Sequence, residues 1–179
     1  MRTIIFLLLS LISLPTLAGQ GALLDYEFRR LASSESINLN KAYKDKVILV
    51  VNTASKCGNT PQYEDLEKLY QEYFNEGLVV LGFPSNDFFG QEPGAEKQIQ
   101  EFCRLTYGVK FPMFEKTKVT KKNAHPFYIA LAEAAGTYPV WNFHKYLIGR
   151  DGKLINSFSP STRPYADELI SAIRHALKQ

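Results

Sequence analysis

An α/β fold, a central mixed sheet flanked by helices, is what this sequence predicts. Two apolar, β-branched runs, 47–54 and 78–83, have the length of buried strands, and helical spacing follows each of them. An Asp-Gly hairpin pattern and an amphipathic segment then close the chain.

The elements follow in order. Residues 1–18 stand apart from the fold: Met1-Arg2 gives a positive start, Ile4 to Leu14 is almost wholly apolar, and Pro15 ends the run. Thr16-Leu17-Ala18 then places small residues for cleavage after Ala18, the pattern of a signal peptide. The run is shorter than the roughly 20 apolar residues of a membrane span, and no cysteine follows it for lipid anchoring. The expectation is an exported protein, periplasmic or secreted, with no stable membrane anchor and a single domain over 19–179; an uncleaved anchor is the alternative. Tyr26 to Leu31 and Ile37 to Leu39 read as short strands or a hairpin. After the strand at 47–54, Leu66, Leu69, Tyr70, Tyr73 and Phe74 mark one helical face, and Thr60 before Pro61 reads as its N-cap. Ala95 to Tyr107 is helical, with Ile99, Phe102 and Cys103 on one face, and His125 to Ala135 is a third helix. Phe143 to Ile148 and Leu154 to Phe158 form a hairpin turning at Asp151-Gly152, and Tyr165 to Leu177 is the last helix. This order is that of an α/β sandwich of the thioredoxin type.

Composition narrows the function. A net charge of +3 is spread along the chain, and the one basic cluster, Lys116 to Lys122, reads as a solvated loop, so nucleic acid is not an expected partner. The two cysteines allow a structural disulfide closing the 57–103 loop, worth about 4 kcal/mol in the chain-entropy model. A domain of this size has enough core to do without that staple. Cys57 moreover sits in the strand-to-helix turn of VNTASKCGNTPQY, near a helix N-terminus, where positive partial charge favours the reactive thiolate. The position three residues on is Thr60, so no local dithiol can form, and any resolving thiol lies elsewhere in the sequence.

Three blocks then make the reading specific. Val51 to Gly58, then Gly82-Phe83-Pro84-Ser85-Asn86 with Gly90-Gln91-Glu92-Pro93-Gly94, then Trp141-Asn142-Phe143 resemble the signature blocks of the glutathione peroxidase family, in the family's order. The similarity runs from about residue 24 to the C-terminus. It implies a thioredoxin fold and a catalytic centre of Cys57, Gln91, Trp141 and Asn142, with cysteine where other members carry selenocysteine. Amides and the indole N–H are neutral donors that can stabilise a thiolate and the charge that develops as it attacks a peroxide. Attack leaves a sulfenic acid on Cys57 and releases water or an alcohol. No cofactor and no metal are implied. Where many members read Asn-Gln-Phe-Gly, this chain reads Asn86-Asp87-Phe88-Phe89-Gly90, which brings a negative charge and an extra aromatic ring near the mouth of the site.

Cys103 matches the resolving position of the thioredoxin-using branch of the family, although the pattern also fits a small buried hydrophobe. In the resolving role it forms a transient disulfide with Cys57 that a thioredoxin-like dithiol protein reduces. A one-cysteine enzyme using glutathione, and a non-enzymatic peroxide sensor or relay, remain as alternatives. A Cys-His protease is disfavoured because His144 lies two residues beyond Asn142 on an extended strand, and a copper carrier because Thr60 stands where a second cysteine is needed. Tetrameric members carry an extra loop before the Trp-Asn-Phe block; here only Gly136 to Val140 intervene, so a monomer with an open site for hydrogen peroxide and bulky hydroperoxides is expected.

Overall fold

β3 (Val47–Thr53) and β4 (Leu78–Pro84) are buried at every residue, so both of their faces must be covered. In the computed structural model, which describes residues 23–179, they pair in parallel within a four-stranded sheet ordered β4-β3-β5-β6. β5 (Lys145–Ile148) runs antiparallel to β3, and β6 (Leu154–Phe158) antiparallel to β5. The hairpin turns where expected: Gly149 N–H donates to Lys153 O at 2.9 Å, and Gly152 supplies the positive φ of +75°. The signal-peptide reading of residues 1–18, and the first residues of the 19–179 domain, lie outside the described residues.

Alternation along β3 divides the core in two. Val47, Leu49 and Val51 pack with Leu147 against α2 (Gln62–Tyr73), α5 (Asp167–Leu177) and the Ile99–Cys103 face of α3 (Glu96–Tyr107). Ile48 and Val50 pack with Tyr146 and Ile148 against α4 (Pro126–Ala135) and the N-terminal segment. That segment holds a separate antiparallel pair, β1 (Glu27–Arg29) and β2 (Ser36–Asn38), so the expected hairpin is present. The second strand ends early, because the Asn38 side chain accepts from Lys41 N–H and caps α1 (Leu39–Ala42), a short helix the sequence pattern did not suggest.

The outer edge of β4 is covered by residues 112–114: Gly82 N–H donates to Pro112 O, and Phe114 N–H to Gly82 O, each at 2.9 Å. Glycine leaves room here for the Met113 side chain, since a Cβ at position 82 would overlap its sulfur and force it to move. Among the described residues no helix is long and apolar enough to cross a membrane.

The start of β5 carries two buried titratable groups. Lys145 is 0% exposed, its Nζ donates to Phe143 O at 2.7 Å, and burial pushes its ammonium down to about 7. Beside it both ring nitrogens of His144 are buried without partners among the described residues, and burial, helped by the Lys145 charge, lowers the imidazole to about 4. Both folded-state values lie below those of the unfolded chain, so the stability tied to each is lost as pH falls through the folded value. For Lys145 the gain begins as pH rises past 7, before Cys103 and the tyrosines titrate in the unfolded chain. Urea unfolding at about pH 6 and about pH 8 should therefore show wild type gaining more stability over this step than Lys145→Met. An equal gain in the two proteins would show that Lys145 is not held as a neutral amine.

Candidate active site

Topology brings three separate segments to one end of the sheet. β3 and β4 are parallel, so the turn after Thr53 and the loop after Pro84 leave from the same edge. β5 is antiparallel to β3, with Lys145 opposite Val51, so the chain just before β5 arrives there too. Open α/β sheets place ligands at this carboxyl end of parallel strands.

Cys57 occupies the first of these segments. The expected N-cap role of Thr60 is not what the structure shows: α2 begins at Gln62, after Pro61 in the helical region, and has no side-chain cap. Bonds from Thr60 N to Cys57 O, Gln62 N to Asn59 O and Tyr63 N to Thr60 O, each spanning three residues, wind the chain tightly into the helix. Thr60 is used inside the turn instead. Its hydroxyl accepts from Cys57 N–H at 3.0 Å and donates to Ala54 O at 2.9 Å, fixing the backbone on both sides of Cys57. The half-buried Cys57 Sγ accepts from Asn59 N–H at 3.4 Å.

Gln91 comes from the loop after β4. Phe89 and Gly90 both have positive φ, +52° and +66°, and Glu92 N–H closes the loop on Asn86 Oδ1 at 2.8 Å. The basic stretch, read as a solvated loop, holds this one in place: Lys116 Nζ donates to Glu92 O and Gly94 O, and Lys118 pairs with Asp87 at 2.9 Å. Asp87 therefore does not face the mouth. Burial would raise its carboxyl, but Lys118 and the N–H groups of Val119 and Thr120 hold it below the usual range, turned into that stretch.

Trp141 and Asn142 lie before β5 in a segment whose three carbonyls and the Phe143 N–H are all held. Asn52 Nδ2 donates to Trp141 O at 3.0 Å, Asn59 Nδ2 to Asn142 O at 3.4 Å, Phe143 N–H to Asn52 O at 2.6 Å, and Lys145 to Phe143 O. Phe143 has φ +69°, which is strained for an aromatic residue and delays β5 to Lys145 rather than Phe143. Its fully buried ring against Tyr63, 5.3 Å between centroids, holds it there.

These restraints bring Gln91 and Asn142 together: Asn142 Nδ2 donates to Gln91 Oε1 at 2.9 Å. Backbone bonds join both to the Cys57 turn, since Gln91 O accepts from Lys56 N–H at 3.0 Å and Asn142 O from Asn59. The Trp141 ring sits between Phe88 and Phe89, at 5.4 and 5.5 Å. The only hydrogen bond to Cys57 Sγ among the described residues is that from Asn59. Gln91 Nε2 and Trp141 Nε1 donate to no group among the described residues.

Cys103 is 2% exposed on α3, and both cysteines are free thiols touching the same core cluster. Burial pushes the Cys103 thiol up to about 11, and the neighbouring Tyr63 hydroxyl offsets this only in part. None of the three histidines serves Cys57. His125 caps α4, His144 stacks on Tyr146, and His175 bonds Gln179. Among the described residues no cluster of three or more His, Cys, Asp or Glu is placed to hold a metal ion.

Sequence reasoning passed over Asn52, Asn59 and Lys145, the residues that place Trp141 and Asn142. Two of them carried a readable sign, a polar residue inside an otherwise apolar strand, which must find its partner within the protein. Because Trp141 is the one tryptophan, its emission reports on the site. Asn52→Ala should lower stability by about 1–3 kcal/mol and shift Trp141 fluorescence in the folded protein. Unchanged emission would show that Asn52 does not position the ring.

Comparison with known proteins gives the family. Residues 23–132 match the family model described as glutathione peroxidase. The chain is 50% identical over 145 residues to the "Glutathione peroxidase" of Lactococcus lactis subsp. cremoris, covering 78% of this chain and 91% of that protein. It is 42% identical over 159 residues to the "Thioredoxin/glutathione peroxidase BtuE" of Escherichia coli, covering 75% and 87%. Among solved structures, "Trgpx in apo form" superposes with a TM-score of 0.69 at 37% identity, over 88% of this chain and 97% of that one. A family match over most of the chain, relatives of this identity, and a thioredoxin-like sheet with its three segments gathered at one end agree: the chain belongs to the glutathione peroxidase family and is a peroxidase.

Proposed function

We propose that Cys57 is the nucleophile of a thiol peroxidase, served by Gln91, Trp141 and Asn142. The observation that carries this is the Gln91–Asn142 pair joined to both flanks of the Cys57 turn, with Gln91 Nε2 and Trp141 Nε1 left as free donors. A thiolate at Cys57 attacks the hydroxyl oxygen of the peroxide, and the O–O bond breaks. The departing oxygen takes up the proton that the Cys57 thiol gave up on ionising, so the products are a Cys57 sulfenic acid and water or an alcohol. The two free donors stabilise charge on sulfur and on the departing oxygen, with Asn142 holding the Gln91 amide in its orientation.

Cys103 then resolves the sulfenic acid. Its thiol is buried, so α3 loosens for the sulfur to reach Cys57, and the resulting disulfide is reduced by a thioredoxin-like dithiol protein through exchange. Since residues 1–18 have the pattern of a signal peptide, that reductant is itself an exported protein. Turnover with peroxide and dithiothreitol should disappear in Cys57→Ser. Cys103→Ser should lose thioredoxin-driven turnover while still forming a sulfenic acid that dimedone traps. Retained turnover in Cys57→Ser would overturn the nucleophile. Glutathione matching a thioredoxin as reductant would favour a one-cysteine cycle instead.

The site is open on its apolar side. Phe88 is buried, whereas Phe89 is 88% exposed against Trp141, offering contact to bulky organic or lipid hydroperoxides. α4 ends at Ala135, leaving five residues before Trp141 and little chain for a subunit interface there, which favours a monomer. Phe89→Ala should raise KM several-fold for a fatty-acid hydroperoxide and leave that for hydrogen peroxide unchanged, and light scattering should give one chain per particle. A tetramer, or equal effects on both substrates, would overturn this reading of the mouth.

A further inference from the structure

Glu92 follows Gln91 but has no part in the peroxide-reducing set, and its surroundings call for an explanation. It is 1% exposed. Oε2 accepts from Ser55 Oγ at 3.1 Å, two residues before Cys57, while Oε1 is buried with no partner among the described residues. The loop does not need this carboxylate for support, since Glu92 is already held by its backbone, N–H to Asn86 Oδ1 and O to Lys116 Nζ. The side chain lines a cleft of about 410 Å³. Ser55 and Lys56, from the Cys57 turn, line it too, as do Gln98, Ile99 and Phe102 from α3. Cys103 is the next residue along α3, so the cleft that Glu92 lines adjoins both elements whose sulfurs must meet.

We propose that Glu92 carries the proton in the disulfide-forming step, which rests on the thiol-peroxidase reading above. Its carboxylate takes the proton from Cys103, and the thiolate attacks Cys57 Sγ. The S–S bond forms from the Cys103 electron pair as the S–O bond of the sulfenic acid breaks. The departing hydroxide then takes the proton back from Glu92 and leaves as water. Cys103 is oxidised, Cys57 is reduced from sulfenic acid to disulfide, and Glu92 ends as it began. One negative charge is present throughout, so the buried site never holds two charges or none.

The electrostatics support this assignment. Burial raises the Glu92 carboxyl, against the Ser55 hydrogen bond and the charges of Lys116 and Lys56, so it holds a proton more readily than an exposed glutamate. Burial likewise pushes Cys103 up to about 11, so the thiol does not ionise unaided. The groups facing Glu92 are Lys56 on the Cys57 turn, Tyr63 on α2, Cys103 on α3 and Lys116 on the segment after Phe114.

The test is rapid mixing of the reduced full chain with one equivalent of hydrogen peroxide, following dimedone-trapped sulfenic acid and the Cys57–Cys103 disulfide by mass spectrometry. In Glu92→Gln, disulfide formation should slow by about a hundredfold while sulfenic acid accumulates. Disulfide formation within about twofold of wild type, with sulfenic acid present, overturns this proposal alone. Absence of sulfenic acid in wild type overturns the thiol-peroxidase reading and this step with it. If Glu92→Gln does not fold, Ser55→Ala carries the test. Loss of the hydroxyl raises the Glu92 carboxyl further, so the acid limb of the disulfide-forming rate should move to higher pH, and an unmoved limb overturns the proposal.

Discussion

Asn52 is a fully buried amide in a strand with no exposed residue, and the arrangement of the site follows from how its hydrogen bonds are made. A polar group buried without a partner is costly, so this one has to find partners in the protein. Its Nδ2 finds one in the chain just before β5, at Trp141 O, and the Asn52 main-chain carbonyl accepts from Phe143 N–H, while Oδ1 pairs with no group among the described residues. That clamp and the Lys145 bond to Phe143 O hold Phe143 in a left-handed conformation that would otherwise relax. Asn142 is thereby placed on Gln91, and the core of the protein sets the geometry of its reactive end.

The arrangement separates holding from reacting. Thr60, Asn59, Asn86, Lys116 and Lys118 use their polar groups to fix backbone, each closing a turn or joining two loops. Gln91 Nε2, Trp141 Nε1 and the Cys57 sulfur keep their capacity largely unused. Donors already in position do not have to reorganise when charge develops, which is where such sites gain most over water. The two cysteines differ in the same way. Cys57 lies half-buried in a turn, whereas Cys103 is sealed in the core with its thiol raised.

Much of this was legible in the sequence because it rests on local pattern. β3 and β4 announced themselves as β-branched runs, the Asp151-Gly152 turn by its residue pair, and α3 and α5 by apolar spacing. Cys57, Gln91, Trp141 and Asn142 could be picked out from three short blocks, each of them readable within a few residues. Thr60 was misread because Thr before Pro is a good cap by propensity. The hydroxyl instead serves the peptide groups of Cys57 and Ala54, where the tight turn leaves both within reach.

The sequence by itself determined the kind of sheet, the helices that cover it and the blocks that mark the family, since periodicity and motif are properties of neighbours along the chain. Tertiary structure alone decided which groups meet: Asn52 with Trp141, Gln91 with Asn142, Lys118 with Asp87, Glu92 with Ser55. These pairs lie 31 to 89 residues apart. Over such separations the partner is chosen by strand order and direction, and by the need to satisfy each polar group that folding takes out of water.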